Sequence, residues 1–394
     1  MRVLFLMFVF PDMNTSFNMY TALVEEFVRN GHEIYVLAPG IGSTGIKVEN
    51  GIKILRVKTL PIKNVPNFLK GISNILLPFQ FKKALHKFYP RVQFDLIISA
   101  TPPITLVDLA SRLKKEHNSK FYLILRDIFP QNAVDLGIMK GKSILHLYFR
   151  SKERKLYRVA DFIGCMSQGN IDYIIRHNPL LSGNKLHILH NYQKLYEDYE
   201  ISNTNILREF NIENKFVVVF GGNMGKSQQL ENVLKLAKDC EEYHDVEFIL
   251  LGEGVQIKKI EMDIKKQNIR NIKLMGTISK QKYQTLISRC QLGLISLHQD
   301  FTIPNIPSKT LDYFNVGIPV LASIDKATDY NKVLDEAKAG LWSYAGDHQS
   351  FKSNFDKLYR DSSLRKTMGA NGRRYFEKFL TAGLAYESII KTIS

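Results

Sequence analysis

Lys309 occupies an unusual position in this 394-residue sequence. It follows Ser308 in the stretch Pro304–Ser323, which predicts a loop, a short helix and a buried strand. A cation in the first turn of a helix is disfavoured by the helix dipole. It becomes favourable when an anion binds there, because free backbone N–H groups and an ammonium together form a phosphate site. Asp312 lies on the same helix face, so a solvated Lys–Asp pair is the alternative.

Glycine-rich turns follow several predicted strands in the same half of the chain. The first, Gly221–Gly225, connects the strand 216–220 to a helix, and others stand at Gly252 and Gly276. Glycines let the backbone approach a diphosphate closely, and the helix N-terminus receives its charge. The first turn has neither dinucleotide-fingerprint nor P-loop spacing, and close packing or plain turns also explain such glycines. With the Lys309 helix they predict phosphate binding at one sheet edge.

Two charged residues, Arg126 and Asp127, follow the predicted strand 121–125 in the first half of the chain. Being adjacent, they point to opposite sides of the strand. Charged residues that end an apolar strand favour a position in a cleft. A cap for the following loop is the alternative interpretation of Asp127.

The segment Lys63–Arg91 interleaves apolar and basic side chains. An amphipathic segment of this kind can lie on an anionic bilayer surface. A core helix with a solvated basic face is the alternative. The basic residues that we predict at a membrane or acceptor are Lys82, Lys83, Lys87 and Arg91.

Composition narrows the function classes. A net charge of +16 implies a polyanionic partner, but no nucleic-acid-binding signature is present, so no nucleic acid is expected. The apolar N-terminus reads as a first strand and not as a signal peptide. Three dispersed cysteines, Cys165, Cys240 and Cys290, indicate a reducing compartment and no metal cluster. We therefore expect a cytoplasmic protein.

Apolar strands alternate with helices in two successive runs, a pattern typical of parallel sheets covered on both faces. This predicts two doubly wound α/β domains, with ligands at the carboxyl ends of the strands in the cleft between them. Strands are predicted at 2–9, 32–37, 52–57, 96–99, 121–125, 162–165, 186–189, 216–220, 246–251, 272–275, 292–295 and 318–321. The predicted division is a domain over 1–190, a polar linker over 191–214, a domain over 215–375, and a C-terminal helix over 376–394 that packs back toward the first domain.

The chain resembles the family-4 retaining glycosyltransferases of the GT-B fold over essentially its whole length. Within that family it is similar to the N-acetyl-L-fucosaminyltransferase-like branch of bacterial surface-polysaccharide synthesis. The stretches that carry the resemblance are RDIFPQ, FGGNMGKSQQLE, LLGEG and PSKTLDYFNVGIPVLAS. The resemblance implies two Rossmann-like domains facing across a cleft.

The resemblance also implies roles for residues. Asp312 would bind the nucleotide ribose, Ser308 and Lys309 the donor diphosphate, and Gly276 and Ile278 would border the base. The expected donor-binding set is Gly222, Asn223, Gly225, Lys226, Gly252, Gly276, Ile278, Ser308, Lys309 and Asp312. The expected catalytic residues are Lys309, Arg126 and Asp127.

The chain departs from the family pattern at two places. Pro304 stands where the wider family has a glutamate that contacts the donor sugar, and Asn223 and glutamines replace an Arg…Lys pair after the first glycine turn. Charge stabilisation of the leaving group must then come from other cations. Arg126, Lys226 and Lys309 are the candidates.

The implied activity is retaining transfer of a sugar, an N-acetylated hexosamine or deoxyhexosamine, from a UDP-sugar to a polyprenyl-diphosphate-linked glycan. This would occur in capsule, O-antigen or exopolysaccharide synthesis. The enzyme would be peripheral on the inner face of the cell membrane, bind its anionic surface, and need no metal or cofactor. Two other classes remain open: a sugar-nucleotide 2-epimerase, and a non-catalytic carbohydrate- or nucleic-acid-binding protein of the same fold.

Overall fold

The computed structural model describes residues 1–61, 67–196 and 205–394. The start of the predicted amphipathic segment at Lys63 and part of the predicted linker, 197–204, lie outside these residues. The chain divides into two compact units. The N-terminal unit comprises Met1–Gln193 and Ala382–Ser394, and the C-terminal unit comprises Lys194–Thr381. Among the described residues, no helix is both long and apolar enough to cross a bilayer.

The N-terminal unit contains an eight-stranded sheet in the order β3-β4-β2-β1-β5-β6-β7-β8. Every pairing is parallel except that of β3 with β4. The strands are β1 (Arg2–Leu6), β2 (Glu33–Gly40), β3 (Gly45–Glu49), β4 (Ile52–Lys58), β5 (Leu96–Ala100), β6 (Lys120–Leu125), β7 (Phe162–Cys165) and β8 (Leu186–Ile188).

The antiparallel pair β3–β4 was not predicted, and the expectation of a parallel sheet throughout is wrong at this edge. A two-residue turn, Asn50-Gly51, joins the strands, and both residues have positive φ, 47° and 77°. Asn-Gly in this conformation forms the type I′ turn whose twist matches a hairpin. The dipeptide was therefore an overlooked signal in the sequence.

Helices cover the sheet on both sides. α1 packs against α15, and residues of both join one core with alternate residues of the central strands, such as Val3 and Phe5. Right-handed crossovers place α2, α3 and α5 on the other face. The helices are α1 (Met19–Arg29), α2 (Asn67–Phe88), α3 (Val107–His117), α4 (Gln131–Asp135), α5 (Ile144–Val159), α6 (Gln168–His177) and α15 (Ala382–Ile393).

The C-terminal unit contains a six-stranded, wholly parallel sheet in the order β11-β10-β9-β12-β13-β14. The strands are β9 (Phe216–Gly221), β10 (Val246–Leu251), β11 (Ile272–Met275), β12 (Leu292–Ser296), β13 (Val320–Ile324) and β14 (Gly340–Tyr344). The helices are α7 (Ile206–Glu209), α8 (Glu231–Asp239), α9 (Ile257–Lys266), α10 (Lys280–Ile287), α11 (Lys309–Val316), α12 (Tyr330–Ala337), α13 (His348–Arg360) and α14 (Ser362–Phe379).

The end of α11 explains one wrong boundary. Gly317 adopts φ of +75°, its N–H donates to the Phe314 carbonyl, and the Ile318 N–H donates to the Tyr313 carbonyl. This hydrogen-bonding pattern closes a helix C-terminus and keeps Ile318 out of the sheet. The strand predicted from residue 318 therefore starts at Val320. The unit also contains α12 and β14, which the sequence reading did not predict.

Candidate functional site

Three glycine turns meet at one edge of the C-terminal sheet. β10 pairs in parallel with β9 and with β11, and Leu251 is level with both Gly221 and Met275. Because neighbouring parallel strands end at the same edge, the turns after them lie side by side. The structure thus brings Gly222, Gly252 and the exposed Gly276 to one place.

The first two turns are interlocked. The Gly222 N–H donates to the Leu251 carbonyl at 2.8 Å, and the Met224 N–H donates to the Glu253 carbonyl at 2.8 Å. Gly252 has φ of +143°, and a Cβ on it would lie 1.9 Å from the Gly222 carbonyl oxygen. Only glycine fits at 252, so this part of the turn has a packing reason that is independent of any ligand.

Lys309 extends over the first turn from the start of α11. A Cβ on Gly222 would lie 3.9 Å from the Lys309 Nζ. This ammonium donates to Gln228 Oε1 at 2.6 Å and lies 4.6 Å from the centroid of the Phe220 ring. Burial lowers the pKa of Lys309 to about 8, and Asp312 opposes this shift. Within the described ranges its amino group contacts no carboxylate in an ion pair, which leaves a place for an anion.

Asp312 already has a cationic partner. Its Oδ1 accepts from the Lys280 ammonium at 2.6 Å and from the Tyr196 hydroxyl. The Lys309–Asp312 pair considered from the sequence is therefore wrong, because Lys280 takes that position. Asp312 lies on the face expected for ribose binding, and that role stays a prediction.

The remaining predicted donor residues lie around the same edge. Ser308 is exposed, and its side chain does not cap α11, although it occupies the N-cap position. In the first turn of α11 the Thr310 N–H donates to the Pro307 carbonyl at 3.3 Å, and the Leu311 N–H donates to the Ser308 carbonyl at 3.1 Å. Asn223 and Lys226 are exposed, Gly225 and Ile278 are partly buried, and Pro304 is buried. Their contacts with a donor stay predictions.

Asp127 follows β6 at the carboxyl edge of the N-terminal sheet. Its backbone N–H and carbonyl both bond to the Thr101 hydroxyl, each at 3.1 Å. Burial raises the pKa of the Asp127 carboxyl to about 6. Across the described part of the chain this carboxyl has neither a salt bridge nor a hydrogen-bond donor. A carboxyl that titrates near neutral pH and lacks a partner is a functional-site candidate.

Arg126 directly follows the last residue of β6. It is 8% exposed. Its guanidinium donates to the carbonyls of Leu189 and His190 at 3.0 and 3.2 Å, and it lies 5.4 Å from the Tyr192 ring centroid. Arg126 thus fixes the chain after β8. These contacts favour a structural task over the predicted catalytic one, which no observation tests.

Sequence reasoning missed several residues that shape both edges. Gln228 orients Lys309, and Lys280 pairs with Asp312 across 32 residues of sequence. In the N-terminal unit the buried pair Glu49–Arg56 holds the loop after β1. Arg56 donates to the Phe10 and Pro11 carbonyls at 2.7 Å each, and Glu49 accepts from the Met13 N–H. Gln228 alone had a local signal, since it is one of the glutamines that depart from the family pattern after the first glycine turn.

The basic residues predicted at a membrane lie in the last turns of α2 and, for Arg91, just after it. Lys83, Lys87 and Arg91 are exposed, and Lys82 is partly buried. The apolar residues of the segment are in part buried and in part exposed, and its binding to a membrane stays a prediction. Leu77, Phe81, Ala84 and Leu85 are buried, whereas Leu69, Ile72, Ile75, Leu76 and Phe79 are exposed.

The two edges differ chemically. The C-terminal edge presents glycine turns, which allow a close backbone approach, and the desolvated ammonium of Lys309, which can bind phosphate. The N-terminal edge presents an unpaired carboxyl, which can accept a hydrogen bond from a hydroxyl.

Comparison with known proteins agrees with this chemistry. A family model described as Glycosyltransferase Family 4 matches residues 18–192, and one described as Glycosyl transferases group 1 matches residues 202–375. The probable glycosyltransferase WbjE of Pseudomonas aeruginosa is 22% identical over 275 residues, covering 69% of this chain and 67% of that protein.

Solved structures show the same architecture. Sucrose-phosphate synthase from Thermosynechococcus elongatus has a TM-score of 0.79 at 13% identity, covering 100% of this chain and 98% of that one. Anabaena HepE in complex with UDP-glucose has a TM-score of 0.72 at 15% identity, covering 100% and 99%. The predicted fold class and enzyme class are confirmed, and this chain is a glycosyltransferase of the GT-B fold.

Proposed function

We propose that this enzyme transfers a sugar from a UDP-sugar to a polyprenyl-diphosphate-linked glycan with retention of configuration. The sugar is an N-acetylated hexosamine or deoxyhexosamine, and the setting is bacterial surface-polysaccharide synthesis. The observation that carries the donor assignment is Lys309. It is a desolvated ammonium beside Gly222, without a carboxylate partner among the described residues.

A donor diphosphate supplies the missing charge. Taking a cation out of water costs free energy unless an anion or hydrogen-bond acceptors replace the water. Gln228 supplies one acceptor at 2.6 Å, and the ammonium has three donors. Diphosphate oxygens would take the others. Lys309 would thus supply part of the charge stabilisation that the family's Arg…Lys pair provides.

The chemical step builds negative charge on this diphosphate. The bond between the sugar C1 and the diphosphate oxygen breaks, and its electron pair stays on the oxygen. The acceptor hydroxyl oxygen bonds to C1 from the same face, and its proton passes to the departing diphosphate. Donors that are aimed in advance at the developing charge are usually the largest catalytic contribution. Lys309 would act in this way, and Asp127 would accept a hydrogen bond from the acceptor.

The acceptor's lipid places the enzyme at an anionic membrane surface. The net charge of +16 and the basic end of α2, with exposed Lys83, Lys87 and Arg91, support this location. Each basic side chain near such a surface contributes about 1 kcal/mol of attraction, which salt weakens.

A donor-turnover assay tests the function. UDP release is measured with a panel of UDP-sugars, with and without a polyprenyl-diphosphate-linked acceptor, in EDTA. Acceptor-dependent release is expected. Isomerisation of the sugar nucleotide without acceptor would instead indicate a 2-epimerase, and binding without turnover a non-catalytic protein. Activity that disappears in EDTA and returns with Mg²⁺ would contradict the predicted independence from metal.

A further inference from the structure

α5 carries an exposed apolar surface at its start that the sequence reading did not single out. The exposed fractions of Ile144 and Leu147 are 89% and 58%, and Leu145, Tyr148 and the preceding Ile138 are exposed as well. Residues 144 and 147 are neighbours on one helix face. Isolated exposed apolar residues are ordinary, but a contiguous group marks an interaction surface.

α2 repeats this arrangement. Its exposed apolar residues are Leu69, Ile72, Ile75, Leu76 and Phe79, and Phe79 is 67% exposed. All of them precede the exposed basic residues Lys83 and Lys87. α5 has the same order, because its apolar start is followed by exposed Arg154 and Arg158. In each helix the exposed apolar residues thus precede the exposed basic residues named here.

The two apolar halves flank one element. The Thr105 hydroxyl, in the 3-10 turn Ile104–Leu106, donates to the Asn74 carbonyl of α2 at 2.6 Å, and α5 packs against the same turn. Helices that follow parallel strands begin at the carboxyl edge of the sheet. Both apolar halves therefore lie at the edge that carries Asp127.

Ion pairs show that α5 projects beyond its neighbour. Asp108, in the first turn of α3, accepts from Lys152 and Lys155 at 2.6 and 2.8 Å. α3 and α5 run in the same direction, because each connects parallel strands. The residues of α5 before Lys152, including Ile144 and Leu147, therefore extend past the start of α3.

The charges indicate what covers this surface. The sequence of α2 contains no Asp or Glu, and the one acid of α5, Glu153, is buried and bonded to Arg150. A protein partner would be expected to meet acids and bases together. An apolar band beside a purely basic one fits acyl chains beneath anionic head groups.

We propose that the first halves of α2 and α5 form one apolar edge that inserts into an anionic lipid leaflet, with their basic halves on the head groups. This inference rests on the proposed function and deepens it, because it fixes which edge of the N-terminal unit meets the membrane. The carboxyl edge with Asp127 would then face the leaflet from which the lipid-linked acceptor comes.

A tryptophan placed in the edge tests insertion. The chain has one native tryptophan, Trp342, in the C-terminal unit, and its signal serves as the blank. Leu147→Trp and Phe79→Trp should show blue-shifted emission and quenching by brominated lipids in anionic vesicles. Val28→Trp is the matched control, since Val28 is an exposed apolar residue of α1, on the other helix layer. Absence of quenching at 79 and 147 overturns the proposal, as does equal quenching at 28.

A second variant measures the affinity. The double variant Ile144→Asp, Leu147→Asp should lower the partition coefficient on anionic vesicles by about tenfold or more. Apolar burial is lost, and the new carboxylates are repelled by the anionic head groups. Met262→Asp, at a position of α9 that is 62% exposed, should leave partition unchanged, and all three proteins should unfold at similar temperatures. Wild-type partition by the double variant overturns the proposal.

These measurements contain no sugar nucleotide and no acceptor. A protein that inserts but transfers no sugar would overturn the proposed function and leave the insertion standing. A protein that glycosylates a detergent-solubilised acceptor but does not insert would overturn the insertion and leave the proposed function standing.

Discussion

The carboxyl edge of each sheet holds a desolvated ionisable group, and the two groups have opposite charges. Lys309 in the C-terminal unit and Asp127 in the N-terminal unit are both desolvated, and across the described ranges neither forms an ion pair. Burial moves both pKa values toward neutrality, to about 8 and about 6. Glu49 and Arg56, by contrast, are buried as an ion pair. The contrast supports the proposal that Lys309 and Asp127 each bind a group of a substrate.

The largest effect is expected for Lys309→Met. This change keeps the apolar stem and removes the charge, so turnover should fall by about a hundredfold, the usual loss when one donor to a developing anion is deleted. Initial rates of UDP release at saturating donor measure it. Lys258→Met, at an exposed lysine of α9, is the control and should retain its rate. A loss below tenfold would remove Lys309 from the diphosphate site.

A smaller loss, about tenfold, is expected for Asp127→Asn, which weakens a hydrogen bond to the acceptor. In the wild type, kcat/KM should rise with pH through about 6 as Asp127 ionises and fall through about 8 as Lys309 loses its proton. The variant should lose only the acid limb. An acid limb that persists in Asp127→Asn would assign that limb to another group.

The smallest expected effects are on stability, and those of Asp127 and Lys309 should depend on pH in opposite directions. The raised pKa of Asp127 means that the folded state holds its proton more tightly than the unfolded chain. Its ionisation therefore costs stability progressively between about pH 4 and pH 6, and fully above that. Asp127→Asn should raise the melting temperature by about 2 °C or more at pH 7, and not at pH 4.

The pKa of Lys309 is lowered, so its cost in stability is present at low pH and is lost at high pH. The unfolded chain binds this proton more tightly, so the cost is full below about pH 8 and disappears as pH rises toward about 10.4. Lys309→Met should therefore raise the melting temperature at pH 7, and the gain should vanish near pH 10.5. Calorimetry over a pH series measures both windows. A destabilised variant at neutral pH would mean that the native group already has its partner.

The sequence anticipated features that depend on local patterns. Strands such as β10 and β11 were predicted to the residue, because apolar runs followed by a glycine are typical of strands in parallel sheets. The position of Lys309 at a helix start was also local information. The fold class followed from the alternation of strands and helices.

Contacts between distant segments were not predictable. Lys280 binds the carboxylate of Asp312, which the alternative interpretation paired with Lys309, and no pattern within one helix reveals a partner 32 residues away. Arg126 was predicted to face a ligand, but its guanidinium donates hydrogen bonds to the carbonyls of Leu189 and His190. The exposed start of α5 was equally hidden, because apolar residues in a helix are normally assumed to be buried.

The interlocked glycine turns limit how donor preference can be altered. Any side chain at Gly252 would clash with the Gly222 carbonyl, so substitution there disrupts the two glycine turns before it changes which donor is preferred. Gly276 differs, because a Cβ there would meet nothing within 4 Å. A library that aims to change which nucleotide this enzyme accepts should therefore begin at position 276 and keep 252 fixed. The turn at Gly276 thus has room for a side chain, whereas the turn at Gly252 has none.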